Sequence, residues 1–443
     1  MLKLIKTKIN LNSWHQSWIT LWGALAAFGC YTSMYGFRKS FAAATFISEP
    51  DFLGLDYKVL LVIGQMLGYT ASKFYGIKFI SEANNRNRAR NILFLVIFSW
   101  AALLGLAVIP PPFNILFMIL NGFPLGMIWG LVCSYLEGRK TTEFMGAVLA
   151  TTLIFASGLI KTLGRMLMEG TGIAERWMPF CMGFIFIIPL IIFIMMLEAI
   201  PPPTEEDKLL RTKRVPMNGS ERLAFVRHFA PGLIATVIIY VVFTSLRDMR
   251  DNFEVEIWHG LGINNNHIFT QIDTIISLVI LVLLSTLILV RNNLKAFTLI
   301  HIMVIIGCLI ILAGVMLFDQ KLINSINWMV LIGIGLFMVY LPYNAVFFER
   351  LIATYHYKSN IGFLIYIADA FGYLASISIL AVKELGNPSV QWLPFFSTCL
   401  LYGALIGLAC AGFSLIYFRV KAHSTKKVSK TLNYSNTEQV FIT

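Results

Sequence analysis

The chain has 443 residues, 57% of them hydrophobic and only 13% charged, with a mean hydropathy of +0.74. That much apolar surface cannot be hidden inside one compact domain, which excludes a soluble globular protein and makes the bilayer the solvent. A net charge of +12 would point to nucleic acid in a soluble protein. Here Lys and Arg gather in loops on one side and no basic stretch alternates with aromatics, so no nucleic-acid partner is expected.

In lipid the backbone must satisfy its own polar groups, which allows helices or a closed barrel. The apolar runs are about 20 residues long rather than alternating 10-mers, so they predict helices. In chain order the predicted spans are 18–46, 57–80, 91–109, 113–136, 144–168 and 177–198, then 229–250, 268–290, 297–318, 328–348, 361–382 and 392–420. These make an all-α membrane protein of twelve spans in two six-helix bundles, 1–198 and 229–420, joined by a cytoplasmic linker at 199–228.

The basic segment 1–13 lacks a short apolar core with a cleavage site, so the first span is expected to stay as a signal anchor. Lys3, Lys6, Lys8, Arg86, Arg88, Arg90, Arg139, Lys140, Arg291, Lys295, Arg350 and Lys358 fall on one face, and the opposite loops 48–56 and 252–266 are acidic or neutral. Both termini are therefore expected in the cytoplasm, with the chain a multi-pass protein of the inner cell membrane acting as a monomer. The linker segment 201–216 opens on three prolines and carries many charges, so it cannot continue the sixth helix. The tail, 421–443, is basic and then rich in Ser, Thr and Asn, and is expected to be disordered, with Lys421, Lys426, Lys427 and Lys430 weakly attracted to anionic lipid.

Six cysteines lie in apolar spans without CxxC or CxxH spacing and read as small hydrophobes, with no metal and no cofactor expected. His301 sits in an apolar span and reads as a packed histidine. Gly122-x3-Gly126-x3-Gly130 and Gly403-x3-Gly407 predict close helix contacts, and Pro124 and Pro342 predict bends. No Ser/His/Asp set, metal-ligand set or P-loop is present, so an enzyme or ATP-driven pump is not expected.

The most informative stretch is the end of the first span, where Tyr31, Tyr35 and Arg38 stand at i, i+4 and i+7 and form one helical stripe, with Lys39 beside it. The uncharged segment 40–46 suits continued helix, which would put both cations inside the membrane. Two readings are open: the stripe recognises an anion, or the cations snorkel to an interface.

Twelve spans with a charged central loop resemble the major facilitator superfamily, and the loop from Gly76 to Arg90 stands where that superfamily has a glycine, acidic and basic motif. Local matches resemble more narrowly the organophosphate:phosphate antiporters: Tyr31-x3-Tyr35-x2-Arg38-Lys39-x-Phe41, Tyr69-x3-Lys73-Phe74, Gly122-Phe-x-x-Gly126-Met-x-Trp129, Leu246-Arg247, Tyr340-x-Pro342 and Phe371-Gly-Tyr373-Leu. The whole chain also resembles an uncharacterised bacterial family of transporter-like proteins. The antiporter resemblance implies a phosphate clamped by Arg38 and Arg247, with Lys73 and Tyr69 beside it, hydroxyls from Tyr31, Tyr35 and Tyr340, and Trp129 as a further contact. It also implies a gate in which Lys39 meets Asp251 and Asp273. The chain departs from that pattern in lacking a histidine around 153–157 and in carrying Lys161, Arg165, Asp248, Arg250 and Asp369. The extra acids either partner the cations or couple transport to protons.

Three functions are open: alternating-access transport of a small anionic solute, phosphorylated ones included, with exchange for phosphate as one form of it; proton- or sodium-coupled transport of another solute through Asp273 and Asp369; and a non-transporting receptor of the same fold. Cations left unpaired around the site favour the first, and cations neutralised by acids favour the others.

The charge asymmetry of the loops fixes a topology that can be measured. Single cysteines at Ser220 and Asn265 should label from opposite sides of the membrane. Labelling from the same side would rule out the twelve-span arrangement.

Overall fold

A computed structural model describes residues 14–82, 87–204, 207, 219–355, 361–386 and 390–440. The first half comprises α1 (Gln16–Arg38), a 3₁₀ turn (Ser40–Ala43), α2 (Tyr57–Glu82), α3 (Arg88–Val108), α4 (Ile115–Leu125), α5 (Ile128–Leu136), α6 (Thr142–Thr171) and α7 (Met178–Glu198). The second comprises α8 (Gly219–Gly260), α9 (Ile268–Leu289), α10 (Asn293–Asp319), α11 (Ser325–Pro342), a π-helical turn (Tyr343–Phe347), α12 (Phe348–Tyr355), α13 (Ile361–Gly386) and α14 (Trp392–Val440). Because α4–α5 and α11–α12 are each one broken span, the described residues form twelve spans. Nine of these are long and apolar enough to cross a membrane. The other three, α1, α2 and α13, have the length at 23, 26 and 26 residues and carry Arg38, Lys73 and Asp369.

Both predicted bends are present. The fourth span breaks after Pro124, and the tenth passes at Pro342 into the π turn, where the helical hydrogen-bond ladder widens. Close contacts account for the glycines. A Cβ on Gly122 would strike the carbonyl oxygen of Gln65, and one on Gly407 would lie 2.7 Å from Cys308 Sγ.

Several boundaries differ from the sequence reading, each for a physical reason. The first helix stops at Arg38 instead of running to 46, because its last carbonyls are taken by side chains: Gln65 Nε2 donates to Arg38 O at 2.6 Å and Asn121 Nδ2 to Phe37 O at 3.0 Å. A helix end can therefore sit buried without orphaned acceptors. The helix predicted to end at Arg250 continues to Gly260, past a non-helical Phe253 whose ring stacks on Trp392 at 3.5 Å. Arg250, Asp251 and Glu254, expected at the edge of the membrane, are buried instead. The last helix runs through Val440 where a disordered tail is expected; residues 421–440 hold neither Gly nor Pro to stop it. The segment 1–13, most of the linker and the core of the Gly76–Arg90 loop lie outside the described residues.

Within the first half α1 packs on α6 and α7, and α4 on α2 and α3; within the second α8 packs on α13 and α14, and α10 on α11 and α14. The halves meet where α6 lies on α9 and α2 on α13. At the linker end, Asp207 accepts from the amides of Lys140 at 2.9 Å and Thr204 at 3.0 Å. Burial pushes its carboxyl up, but these amides outweigh burial and hold it below the usual carboxylate range.

The Gly122 contact is with backbone, which cannot step aside. Gly122→Ala should lower stability by about 1–3 kcal/mol in thermal unfolding of the purified protein, whereas Gly170→Ala, with nothing within 4 Å of its Cβ, should not. Equal behaviour of the two variants would remove the close-packing explanation.

Candidate functional site

The end of α1 places its stripe in the interior between the halves. Tyr31, Tyr35 and Arg38 are buried, with Arg38 only 6% exposed. The Arg38 guanidinium lies over the Tyr69 ring at 4.2 Å, and its Nη1 donates to Tyr35 Oη at 3.5 Å. Its Nε has no acceptor, and no carboxylate among the described residues lies within ion-pair distance. The aromatic wall continues from Tyr31 to Trp129, edge-on at 5.0 Å, and from Tyr69 to Tyr373 at 5.1 Å.

Arg247 comes from α8 in the other half and is neutralised. Its Nη2 donates to Asp248 Oδ1 at 2.5 Å and its Nη1 to the Tyr340 hydroxyl, while the guanidinium covers the Tyr340 ring at 4.4 Å. Asp248 is held in turn by Ser376 Oγ at 2.8 Å. Lys73 of α2 pairs with Asp369 of α13 at 2.8 Å, which ties the two halves together, and Tyr240 donates to the same carboxylate. The discriminating feature named above therefore has a divided outcome: Lys73 and Arg247 are paired with acids and Arg38 is not.

On the side away from the linker a second charged cluster joins the halves. Lys39 Nζ contacts Asp251 Oδ2 at 2.7 Å and donates to Asn252 Oδ1 at 2.7 Å, so both residues of the imperfect register are used. Asp273 does not complete that gate. It is taken by Arg250 at 2.6 Å, because the longer α8 carries an arginine facing α9. Lys161 of α6 stands between, 2.8 Å from Glu254 and 3.3 Å from Asp251, and Ser157 also donates to Asp251. A further pair, Lys58–Glu256 at 2.5 Å, crosses the same end. At the linker end Arg350 reaches Glu143 at 3.1 Å, so ion pairs bridge the halves on both sides.

Of the expected site residues, Tyr31, Tyr35, Arg38, Tyr69 and Trp129 form one continuous wall, and Arg247 with Tyr340 and Lys73 with Asp369 form two neutral units beside it. Sequence reasoning missed Gln65, Asn121, Tyr240 and Glu254. The first two stand as rare amides deep within apolar spans; Glu254 lies beyond the predicted end of the seventh span at 250. His301 is a packed residue, with its ring nitrogens bonded to Phe297 O at 2.9 Å and Ser414 Oγ at 3.1 Å.

Solved structures share this architecture. A D-xylose-proton symporter is 15% identical with a TM-score of 0.57, covering 89% of this chain and 96% of that one. The inward-open xylose transporter XylE from E. coli is 12% identical with a TM-score of 0.56, covering 88% and 95%. A variant of the peptide transporter POT in complex with sulfate is 13% identical with a TM-score of 0.59, covering 95% and 99%. At such identity the likeness establishes the fold alone: a multi-pass helical membrane protein of the major facilitator type. Residues 40–421 match a family of unknown function, DUF5690, and the chain belongs to that family. No curated protein matches it.

Because Lys161 serves two carboxylates in a buried interface, removing it strands charge. Lys161→Met should cost about 3–5 kcal/mol, and adding Glu254→Gln should recover part of that in thermal unfolding. A double variant as unstable as the sum of the single ones would mean the contact carries no coupling.

Proposed function

We propose that this protein is a secondary transporter that carries a small anionic solute across the inner membrane by alternating access, with both termini cytoplasmic. The single observation that carries this reading is Arg38: a buried guanidinium between the two halves, walled by aromatic rings, with an Nε lacking an acceptor and no carboxylate partner. A cation kept in that condition inside a membrane is costly, and an anionic ligand offsets the cost. In a fold of two halves, a ligand held there would be exposed to either side as the halves rock.

A phosphate ester clamped by Arg38 and Arg247 together is the finer form of this reading, and exchange for phosphate follows from it. It requires Arg247 to release Asp248. The second reading, proton coupling, is favoured by the Lys73–Asp369 pair, since protonation of Asp369 would loosen a contact that spans α2 and α13. The two readings are compatible, with the anion on Arg38 and the coupling on Asp369.

Arginine offers two parallel donors where lysine offers a point charge. In reconstituted vesicles preloaded with labelled small anions, the wild-type protein should exchange at least one of them for external unlabelled anion. Arg38→Lys should abolish exchange while leaving the unfolding temperature near that of wild type. Exchange unaffected by Arg38→Lys, or movement of a neutral solute with an Asp369-dependent proton flux and no anion exchange, would overturn the anion reading.

A further inference from the structure

The buried charges between the halves can be counted. Among the described residues seven cations are buried there, Arg38, Lys39, Lys58, Lys73, Lys161, Arg247 and Arg250, against five buried carboxylates, Asp248, Asp251, Glu254, Asp273 and Asp369, and the half-buried Glu256. Each of these cations but Arg38 has a nearest carboxylate of its own, Lys39 with Asp251, Lys58 with Glu256, Lys73 with Asp369, Lys161 with Glu254, Arg247 with Asp248, and Arg250 with Asp273, each at 2.8 Å or less, with Lys161–Asp251 and Arg250–Glu254 as second contacts at 3.3 Å. Arg38 is left over. With every group ionised the interior carries a single positive charge.

We infer that the group bound at Arg38 is a monoanion, a carboxylate of a small organic acid, and that a dianionic phosphate ester is disfavoured. This rests on Arg38 as the anion contact and adds the valence of the ligand. A monoanion brings the buried charge to zero without disturbing a pair. A dianion leaves one uncompensated negative charge in a low-dielectric interior, or must displace Asp248 or Asp369 from its cation. Geometry agrees with the count. The guanidinium face is occupied by the Tyr69 ring and Nη1 by Tyr35 Oη, while the edge bearing Nε is unused, and a planar two-oxygen carboxylate matches such an edge. Arg247, which a two-arginine phosphate clamp would need, already holds a carboxylate on Nε and Nη2, at 3.2 and 2.5 Å.

The test uses full-length protein in lipid nanodiscs at neutral to slightly alkaline pH, where a phosphate ester is mostly dianionic. The probes are matched in body and differ in the anionic group: glycerate and glycerol 3-phosphate, glucuronate and glucose 6-phosphate, benzoate and phenyl phosphate. Ligand-induced stabilisation in thermal unfolding gives relative affinities. In any pair that binds, the carboxylate should be favoured by about tenfold or more, and Arg38→Gln should abolish the stabilisation. Asp248→Asn, which raises the fixed charge by one, should shift the preference toward the phosphate; Asp369→Asn makes the same change of charge if the first variant does not fold. Tighter, Arg38-dependent binding of the phosphates by wild type, or a preference unmoved by either acid variant, overturns the monoanion inference and leaves the anion reading standing. Failure of every probe to bind in an Arg38-dependent way overturns both.

Discussion

The structure depends on how buried charge is balanced where the two six-helix halves meet. Removing an ion from water costs several kcal/mol even after relaxation, so charges persist in such a place only with partners. Among the described residues six cations have theirs, and four of those pairs, Lys39–Asp251, Lys58–Glu256, Lys73–Asp369 and Lys161–Glu254, cross from one half to the other. These contacts hold the halves together and can break: each joins separate rigid bundles, and neither bundle is covalently constrained by it. That combination suits a protein whose halves change their relative position. It also makes Arg38, the cation without a carboxylate among the described residues, conspicuous.

Arg38 owes its place to an interrupted helix. The end of α1 would expose carbonyls in the membrane interior were it not for the amides of Gln65 and Asn121, which come from α2 and α4 of the same half. Asn121 is fixed in turn by Ser99, whose Oγ lies 2.6 Å from its Nδ2. This network anchors the backbone of Arg38 within one bundle, while Lys39, one residue later, reaches across to the other. A ligand bound at Arg38 therefore sits at the point where the contact between bundles begins. On the proposed reading, anion recognition and the opening of that contact would share a single turn of chain.

The fold was legible because its governing signal is crude and strong: long apolar runs, basic loops on one side, and prolines at two bends. Tyr31, Tyr35 and Arg38 were legible because helical spacing puts them on one stripe. What escaped was what depends on a partner from elsewhere in the chain. The end of α1 is set by Gln65 and Asn121, 27 and 84 positions from the backbone groups they cap, and no local pattern reports that. Arg250, Asp251 and Glu254 look like the edge of a span, since charge in lipid is expensive; their burial is understandable only with Lys39, Lys161 and Asp273 in view. The same blindness put Asp273 with Lys39, when Arg250 is nearer. Asp248 was legible beside Arg247 as an extra acid, but whether it partners that cation or couples transport to protons depends on the orientation of both side chains, which no local pattern reports.

The central claim is that occupancy of Arg38 controls the contact between the halves. The most direct measurement is the distance between spin labels at exposed Ile47 and Asn265, one on each half at the side away from the linker, read by pulsed electron resonance in nanodiscs. The account predicts that saturating anion redistributes these distances in the wild-type protein and leaves them unchanged in Arg38→Gln. A distribution that ignores the anion in wild type, or responds equally without the Arg38 guanidinium, would contradict it.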